Sequence, residues 1–530
     1  MKRRTGMAWL RSMLLLTSML LAACVPAPAP QTAGSAATPA ASTAGADTAK
    51  QPGGRLVIST NANQILLDPT TTTANNDIML HLNLYELLYR VNRDGTALEP
   101  SAAESYETSP DLKTWTFRLR NNLKFSDGSP LTADDVVYSI ERGRRKESLW
   151  AWLYDDAGLE SVKAVDEKTV VFTLNKSFVP FLSDVAGYWA AIFPKAALEK
   201  QGDAFFDKPI SSGPFMVKEL VQGDHVTLVR NPNALVPPKL DEVEFSLIPD
   251  DNTRILKLQS GDIDVAVDVP ASQIDAVNAI PELTVQSYPF AFASALTLNH
   301  AKPPLDDLNF RLALNYAVDR EALIKAVLFG HGEVATSFLP KGVMYWDETV
   351  SGFPYSLDKA KEYLAKSKYA SGAEFEIWTT PTSVTGNATA TALQGMWSKL
   401  PGVKPKIVQL ESGVLTDRRD KGEHWITIGG FSSDVVDPDE ITNWFVTGYI
   451  HQFTNADISG VKPLIQKAQV EPDPAKRKQM YGEIQHWVWE NAYTVSLYYT
   501  PNNWGMSKKV KDLWVDPIMG LRLQEAWVEK

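Results

Sequence analysis

Residues 114–132 carry the stretch Thr114-Trp115-Thr116-Phe117-Arg118-Leu119, then Ser126-Asp127-Gly128-Ser129-Pro130, and then Thr132. The first run alternates polar and apolar residues, which predicts a half-buried strand. The second run has the composition of a turn. Thr132 can cap a helix whose Asp135 lies three residues on and whose residues 136–140 present an apolar face. The stretch therefore predicts a strand, a turn and a helix in succession.

The rest of the chain repeats this alternation. Asp319 and Asp473-Pro474 are predicted to begin helices, and a further helix is predicted across 77–89. Strands are predicted at 55–60, 226–229, 243–248, 294–299, 375–378 and 495–499. Strands that alternate with helices predict an α/β fold.

The chain length and composition describe a soluble, multidomain protein. A chain of 530 residues is too long for one hydrophobic core and predicts roughly two to four domains. Its 44% apolar and 22% charged residues are ordinary for a globular protein.

The first residues do not belong to that globule. A basic start precedes an apolar run at 13–21, and Leu21-Ala22-Ala23 leads directly into Cys24, the only cysteine. This pattern resembles the lipobox of bacterial lipoproteins, so residues 1–23 are predicted to be a signal peptide and Cys24 a lipidated N-terminus. The alternative is an uncleaved anchor with an incidental cysteine. The apolar run, however, is shorter than the roughly 20 residues that span a bilayer.

Cleavage before Cys24 would also change what the chain can bind. The signal peptide carries four basic and no acidic residues, so removing it changes the charge from 52 minus 63, or −11, to 48 minus 63, or −15. Nucleic acid is an unsuitable partner for such a chain. Residues 24–52 are rich in Ala, Pro, Ser, Thr and Gly and are predicted to form a disordered tether. With Cys24 lipidated, no thiol remains for disulfides or catalysis.

A long ordered segment resembles the signature of family 5 extracellular solute-binding proteins, the peptide- and nickel-binding receptors of ABC importers. It runs from Ala103-Glu104-Ser105-Tyr106-Glu107 through the strand at 114–119 to Leu131-Thr132-Ala133-Asp134-Asp135-Val136-Val137-Tyr138-Ser139-Ile140-Glu141-Arg142. Similar matches follow in family order at 212–215, 230–232, 240–264, 299–323, 473–478 and 497–499. The resemblance covers roughly residues 53–530.

The resemblance implies a periplasmic-binding-protein type II-like fold, with two lobes joined by a hinge and an additional third domain. The first domain is placed at 53–81, 214–294 and 500–530, the extra domain at 82–213, and the opposing lobe at 295–499. The hinge is expected at 294–299 and 498–502.

The stretch from Gly429 to Phe445 holds the leading site candidate. After a strand predicted at 424–428, Asp437 can cap a helix with Pro438 at its first position and acidic residues in its first turn. Asp434 is not needed for that cap. It is either a solvated turn aspartate that bonds its own backbone or a ligand-binding carboxylate.

The family resemblance implies a role for Asp434, because peptide-binding relatives use an aspartate at this place to pair with the α-ammonium of the ligand. Phe431 and Ser433 beside it, and Asn299 in a matched segment, join it as ligand-binding candidates. Dipeptide-binding relatives also carry an arginine for the ligand carboxylate, and the aligned residue here is Val384, which cannot make that contact. A longer peptide or another solute is therefore favoured over a strict dipeptide.

Tryptophans supply a competing hypothesis, because some family members bind oligosaccharides against flat aromatic faces. Most of the tryptophans are predicted to lie in the core. Trp378, Trp425 and Trp444 flank the proposed cleft segments and are the candidate ligand walls.

No other chemistry has a positive signal in the sequence. The seven histidines have no metal-ligand spacing, and neither a nucleophile elbow nor a phosphate-binding loop is found. The first hypothesis is a monomeric, extracytoplasmic, lipid-anchored receptor without enzyme activity, cofactor or metal, which delivers an oligopeptide or similar solute to an ABC permease. The alternatives are an oligosaccharide receptor on the same fold and a surface hydrolase or chaperone-like lipoprotein.

Overall fold

The computed structural model describes residues 53–448, 454–518 and 520–529. The predicted signal peptide, the tether and Cys24 lie outside this part of the chain. Within it, the predicted α/β architecture is confirmed, since each of three larger sheets is accompanied by helices. No helix among the described residues combines the length and the apolarity needed to cross a membrane.

A seven-stranded mixed sheet forms the first lobe. Its central strand, Arg55–Thr60, pairs in parallel with Glu242–Leu247 and Val265–Ala266, and its other pairings are antiparallel. The strand order across the sheet is Leu283–Tyr288, Asn502–Ser507, Val265–Ala266, Arg55–Thr60, Glu242–Leu247, His225–Arg230 and Phe215–Val221.

A six-stranded sheet forms the second lobe. Ile426–Ser432 lies inside it, antiparallel to Phe292–Leu298 and parallel to Glu374–Thr379. The strand order is Glu333–Val334, Val495–Tyr499, Phe292–Leu298, Ile426–Ser432, Glu374–Thr379 and Lys404–Gln409.

An antiparallel four-stranded sheet forms the extra domain. The strand order is Ala103–Thr108, Thr114–Leu119, Thr169–Leu174 and Leu159–Asp166. Three small two-stranded ribbons complete the strands, namely Tyr89–Val91 with Leu98–Pro100, Val510–Lys511 with Trp527–Val528, and Trp514–Val515 with Leu521–Arg522.

Helices cover these sheets. The described α-helices are Asn75–Leu84, Ala133–Gly143, Ala151–Ala157, Phe181–Asp184, Lys195–Gln201, Asp251–Ser260, Ile274–Asn278, Leu308–Tyr316, Arg320–Leu328, Leu357–Lys366, Val384–Trp397, Ser412–Asp420, Pro438–Thr442, Lys462–Ala468 and Pro474–Glu490.

Local sequence signals account for several of these element ends. Asp135 accepts a hydrogen bond from the backbone N–H of Thr132 at 2.8 Å, as the predicted capping box requires. The carboxylates of Asp319 and Asp473 likewise accept from backbone N–H groups of the helices they precede. These three predicted helix starts are confirmed.

The helix predicted across 77–89 is wrong at its carboxyl end, since it stops at Leu84. The N–H of Gly213 donates to Leu84 O at 2.9 Å, and Ser212 Oγ accepts from the N–H of Glu86 at 2.8 Å. A Cβ on Gly213 would lie 2.8 Å from the backbone of Tyr85, so only glycine allows this approach. Tertiary contacts here override the helical periodicity.

The chain passes between the lobes at two described places. Residues 289–291 join strand Leu283–Tyr288 of the first sheet to strand Phe292–Leu298 of the second, and residues 500–501 join Val495–Tyr499 to Asn502–Ser507. The hinge expected at 294–299 is therefore misplaced, because residues 294–298 pair with strands on both sides. The predicted domain boundaries stay a prediction.

Three large clusters of apolar side chains support this arrangement. One extends through the first lobe and the extra domain and contains fully buried Trp150, Trp189 and Trp504. A second contains first-lobe residues such as Ile255 and Val277 together with second-lobe residues such as fully buried Trp397. The third lies in the second lobe and includes Phe431, where the strand Ile426–Ser432 approaches the loop that follows it.

Candidate functional site

The candidate site begins where strand Ile426–Ser432 ends. The strand predicted at 424–428 starts later and runs further, because Gly429 and Gly430 continue the pairing with Phe292–Leu298. A Cβ on Gly430 would lie 2.6 Å from Ala293 O, so glycine lets the two strands approach. The strand therefore delivers the chain directly to the loop at 433–437.

The helix that follows starts as predicted. Asp437 is the N-cap, its carboxylate accepts from the N–H of Asp439 at 2.9 Å, and Pro438 lies at the start of helix Pro438–Thr442.

Asp437 also has a second role that the sequence did not reveal. Arg477, on helix Pro474–Glu490, donates to both carboxylate oxygens of Asp437, at 2.8 Å for Nη2 and Oδ1. Each side chain is only 3% exposed. The predicted N-cap role of Asp437 is confirmed, and the fully buried ion pair adds a second role, since it fixes the base of the loop.

Glu440 organises the loop from the first turn of the helix. One of its oxygens accepts from the N–H groups of Asp434 at 2.7 Å and Val435 at 3.2 Å, and lies 3.0 Å from Ser433 Oγ. The spacing of Asp437 and Glu440 is that of a capping box, the one signal that marks Glu440 in the sequence. In the structure Glu440 reaches past the N-cap and holds the loop backbone.

Asp434 therefore lies on a loop that is fixed on both sides. The N–H of Ser433 donates to Ala291 O, in the first crossing between the lobes, at 3.0 Å. Val435 is 2% exposed and packs into the apolar cluster of the first lobe and extra domain. Asp434, partly buried, thus lies where the second lobe meets the rest of the molecule.

Two further candidates, Phe431 and Ser433, have clear structural roles next to Asp434. Phe431 is buried against Phe445, with ring centroids 3.7 Å apart. The hydroxyl of Ser433 lies 2.6 Å from Val435 O. Trp444 has its backbone in the π-helical turn Asn443–Thr447, and its side chain lies outside the described residues.

Trp425 and Asn299 lie at the other end of the same strand. The N–H of Asn299 donates to Trp425 O at 2.9 Å, and Trp425 Nε1 donates to Pro303 O at 2.8 Å. The seven residues of the intervening strand span about 23 Å, so these side chains cannot share one small-ligand site with Asp434. The expectation that they line the same cleft is corrected.

Trp378 is also corrected as a cleft wall. Its side chain is fully buried, its Nε1 donates to Glu376 at 2.7 Å, and Arg418 covers its ring at 4.6 Å from the centroid. A tryptophan enclosed in this way has no face for a ligand. Val384, aligned with the missing arginine, is 81% exposed at the start of its helix.

The extra domain contributes acidic side chains that sequence reasoning missed. Asp156 accepts from Asn443 Nδ2 at 3.2 Å, and the N–H of Val179 donates to Gln469 O at 2.8 Å. Gln469 in turn donates to Asp439 at 3.3 Å. These four residues, Asp156, Val179, Asn443 and Gln469, form what we call the interdomain bridge. No local pattern marks them in the sequence, because their pairing is made only in three dimensions.

Burial shapes the electrostatics beside the bridge. It raises the pKa of Asp439 to about 7, and the charge of Asp437 adds to that effect. Burial also raises the pKa of Asp184, at the end of helix Phe181–Asp184, well above its usual range, and Asp439 is the next cause. Among the described residues, no group of three or more His, Cys, Asp or Glu side chains is arranged to hold a metal ion. The arrangement is suited to holding positive charge rather than to covalent chemistry.

Comparison with protein families identifies the architecture. Residues 97–452 match the model described as bacterial extracellular solute-binding proteins, family 5 middle. A probable D,D-dipeptide-binding periplasmic protein of Escherichia coli is 31% identical over 490 residues, which is 88% of this chain and 92% of the relative.

Solved structures agree. HbpA2 from Haemophilus parasuis superposes with a TM-score of 0.82 at 28% identity and covers 90% of this chain and 100% of its own. The periplasmic binding protein DppA from Helicobacter pylori, solved with the peptide STSA, gives a TM-score of 0.74 at 26% identity, covering 91% and 99%.

Proposed function

Because the chain belongs to family 5 of the bacterial extracellular solute-binding proteins, we propose that it is a substrate receptor that captures a peptide between its two lobes for an ABC importer. Closure about the crossings at 289–291 and 500–501 would enclose the ligand, in a shift of population toward the closed form. The receptor itself performs no chemistry.

One observation carries the peptide assignment. The loop at 433–437 presents Asp434 beside the first lobe crossing, on backbone that Glu440 and Ala291 hold in place. A carboxylate on a preorganised loop is suited to the α-ammonium of a peptide, because an ammonium withdrawn from water needs an opposite charge. Two relatives support this choice, since one is a probable D,D-dipeptide-binding protein and the other was solved with the peptide STSA.

The oligosaccharide alternative draws less support. It relies on tryptophan faces, and Trp378 is buried while Trp425 lies at the far end of the strand from Asp434. The hydrolase alternative draws none from the arrangement of the loop.

The proposed site can be tested with one peptide in two forms. We expect Ser-Thr-Ser-Ala to bind with saturation, and both N-acetylation of the peptide and Asp434→Asn to weaken binding about 100-fold. The two changes together should weaken it little further, because both remove the same ion pair. Isothermal titration calorimetry measures all four combinations, and Asp203→Asn, on the exposed surface of the extra domain, is the matched control.

Two results would contradict the proposal. Equal affinity for the free and the acetylated peptide would exclude Asp434 as the ammonium partner. Absence of saturable binding across a library of di- to pentapeptides would exclude peptides as the ligand class.

We also propose that the chain is a monomer held at the outer face of a bacterial membrane by lipid on Cys24, with residues 25–52 as the tether. Cys24→Ser should release the protein from the membrane fraction into the soluble fraction while leaving peptide affinity unchanged. Retention of the variant in the membrane would favour an uncleaved anchor.

A further inference from the structure

The interdomain bridge brings acidic residues of two domains together with few positive charges. The extra domain supplies Asp156 and Asp184, and the second lobe supplies Asp437, Asp439 and Glu440. Arg477 neutralises Asp437, and Lys176 lies 4.0 Å from Asp156 at the exposed margin. Glu440 is held by the loop N–H groups. Asp184 and Asp439 remain the carboxyl groups with the weakest compensation.

Asp184 has the weaker compensation of these two carboxyl groups. It is 4% exposed, and among the described residues no hydrogen-bond donor reaches its carboxylate. Within the described part of the chain, the hydroxyl of Tyr154, which lies near it on helix Ala151–Ala157, is also buried without a hydrogen-bond partner. A buried carboxylate without a donor or a counter-ion is costly, and binding a proton removes that cost.

Asp439 lies across from Asp184 in the second lobe, and the two hydrogen-bond donors near its carboxylate are both distant. Gln469 Nε2 lies 3.3 Å from one oxygen and the hydroxyl of Tyr481 lies 3.4 Å from the other. The remaining charged groups that act on the pair are Asp156, Asp437, Glu440 and Arg477. Three of these four groups are carboxylates, so negative charges outnumber positive ones around the pair.

We propose that closing the extra domain onto the second lobe takes up protons at Asp184 and Asp439, so that acidification favours the closed form and tightens the hold on the ligand. This inference rests on the proposed two-lobe closure and adds a regulation to it. The interdomain bridge is the main observation behind this inference, because Asp184 and Asp439 lie on opposite sides of a contact that must break when the two domains separate.

The direction of the effect follows from linkage. Separation of the two domains would return the carboxyl groups toward solvent, where an aspartate has a pKa of about 4. In the closed form the pKa of Asp439 is raised to about 7 and that of Asp184 is raised as well. The closed form therefore binds more protons, and its population rises as the pH falls through about 7 toward about 4.

A measurement without ligand tests this directly. Small-angle X-ray scattering of the protein should show a radius of gyration that decreases as the pH falls from about 8 to about 5, since each proton taken up changes the closed-to-open ratio about tenfold per pH unit. Asp184→Asn should show a smaller decrease over this range, because its neutral amide takes up no proton and Asp439 alone still responds. Asp203→Asn should respond like the unaltered protein.

Asp439→Asn provides a second variant on the opposite side of the bridge and should also reduce the response. A pH response in both bridge variants equal to that of the unaltered protein would overturn the inference, and so would no response in the unaltered protein.

Peptide affinity separates this inference from the proposed function. Between about pH 7 and about pH 5 the α-ammonium of Ser-Thr-Ser-Ala stays protonated, so a change of affinity reports on the protein. We expect affinity to rise by more than about tenfold over this range and to rise less in Asp184→Asn, where Asp439 alone takes up a proton. Peptide binding with the same pH dependence in both proteins would refute the proton linkage alone, whereas absence of peptide binding with intact compaction would refute the peptide ligand alone.

Discussion

The two ends of strand Ile426–Ser432 differ in how their polar groups are satisfied. At the amino end, Asn299 Nδ2 and Trp425 Nε1 donate to carbonyl oxygens within the second lobe, through neutral hydrogen bonds of 2.8–3.1 Å. At the carboxyl end, buried charges hold the chain, and the contacts extend to the lobe crossing and the extra domain. The polar groups at the amino end therefore bond within the second lobe. The structure at the carboxyl end depends on contacts with the first lobe and the extra domain, so it can respond to a ligand or a proton.

The largest expected effect comes from removing Arg477. Arg477→Met leaves Asp437 as a buried, unpaired carboxylate, so we expect the free energy of unfolding to fall by about 3–5 kcal/mol. Urea denaturation followed by tryptophan fluorescence measures the loss. Arg118→Met, which removes an exposed arginine 3.9 Å from Glu107, is the matched control and should cost less than about 1 kcal/mol. An equal loss of unfolding free energy in the two variants would show that the structure at the carboxyl end of strand Ile426–Ser432 does not depend on buried charge.

A smaller effect is expected from Glu440→Gln. The substitution keeps the shape of the side chain but removes the charge that strengthens its bonds to the N–H groups of Asp434 and Val435. We expect affinity for Ser-Thr-Ser-Ala to fall about tenfold, since the lost charge is worth about 1–2 kcal/mol. Glu423→Gln, near the amino end of the strand, is the control and should bind normally. Unchanged affinity in Glu440→Gln would mean that loop order does not govern ligand binding.

The smallest effect is expected at the amino end. Trp425→Phe removes the hydrogen bond to Pro303 O but retains an aromatic ring beneath Lys302. We expect a stability loss of about 0.5–1.5 kcal/mol, the usual value of one neutral hydrogen bond, and no change in peptide affinity. Calorimetric titration checks the affinity, and a loss comparable with that of Glu440→Gln would remove the distinction between the two ends.

Much of the architecture was predictable because it follows local rules. The capping residues Thr132, Asp319 and Asp473 and the alternation at Thr114–Leu119 act over a few residues, and the structure places them as predicted. The family resemblance extended those local signals to the whole fold; the match over residues 97–452 confirms the family, and the superposition on HbpA2 over 90% of the chain confirms the fold class.

Only those features of the site that depend on neighbouring residues in the sequence could be predicted. Asp437 as an N-cap follows from its neighbours in sequence, but its partner Arg477 lies 40 residues away, and no spacing rule links them. The sequence predicts Trp378 and Trp425 as cleft walls because they flank the proposed cleft segments. A strand, however, carries its two ends far apart and turns its side chains to alternate faces, so sequence proximity does not imply a shared site.

The strand order of the first lobe has a consequence for folding. Strand Asn502–Ser507 lies between Leu283–Tyr288 and Val265–Ala266, so it is the only described link between Leu283–Tyr288 and the rest of that sheet. The whole second lobe, residues 292–499, precedes this strand in the chain. The first sheet must therefore wait for the second lobe to be synthesised, and pairings over such sequence distances form slowly. The sheet of the second lobe needs no strand from beyond residue 499, so it can be completed before the first sheet.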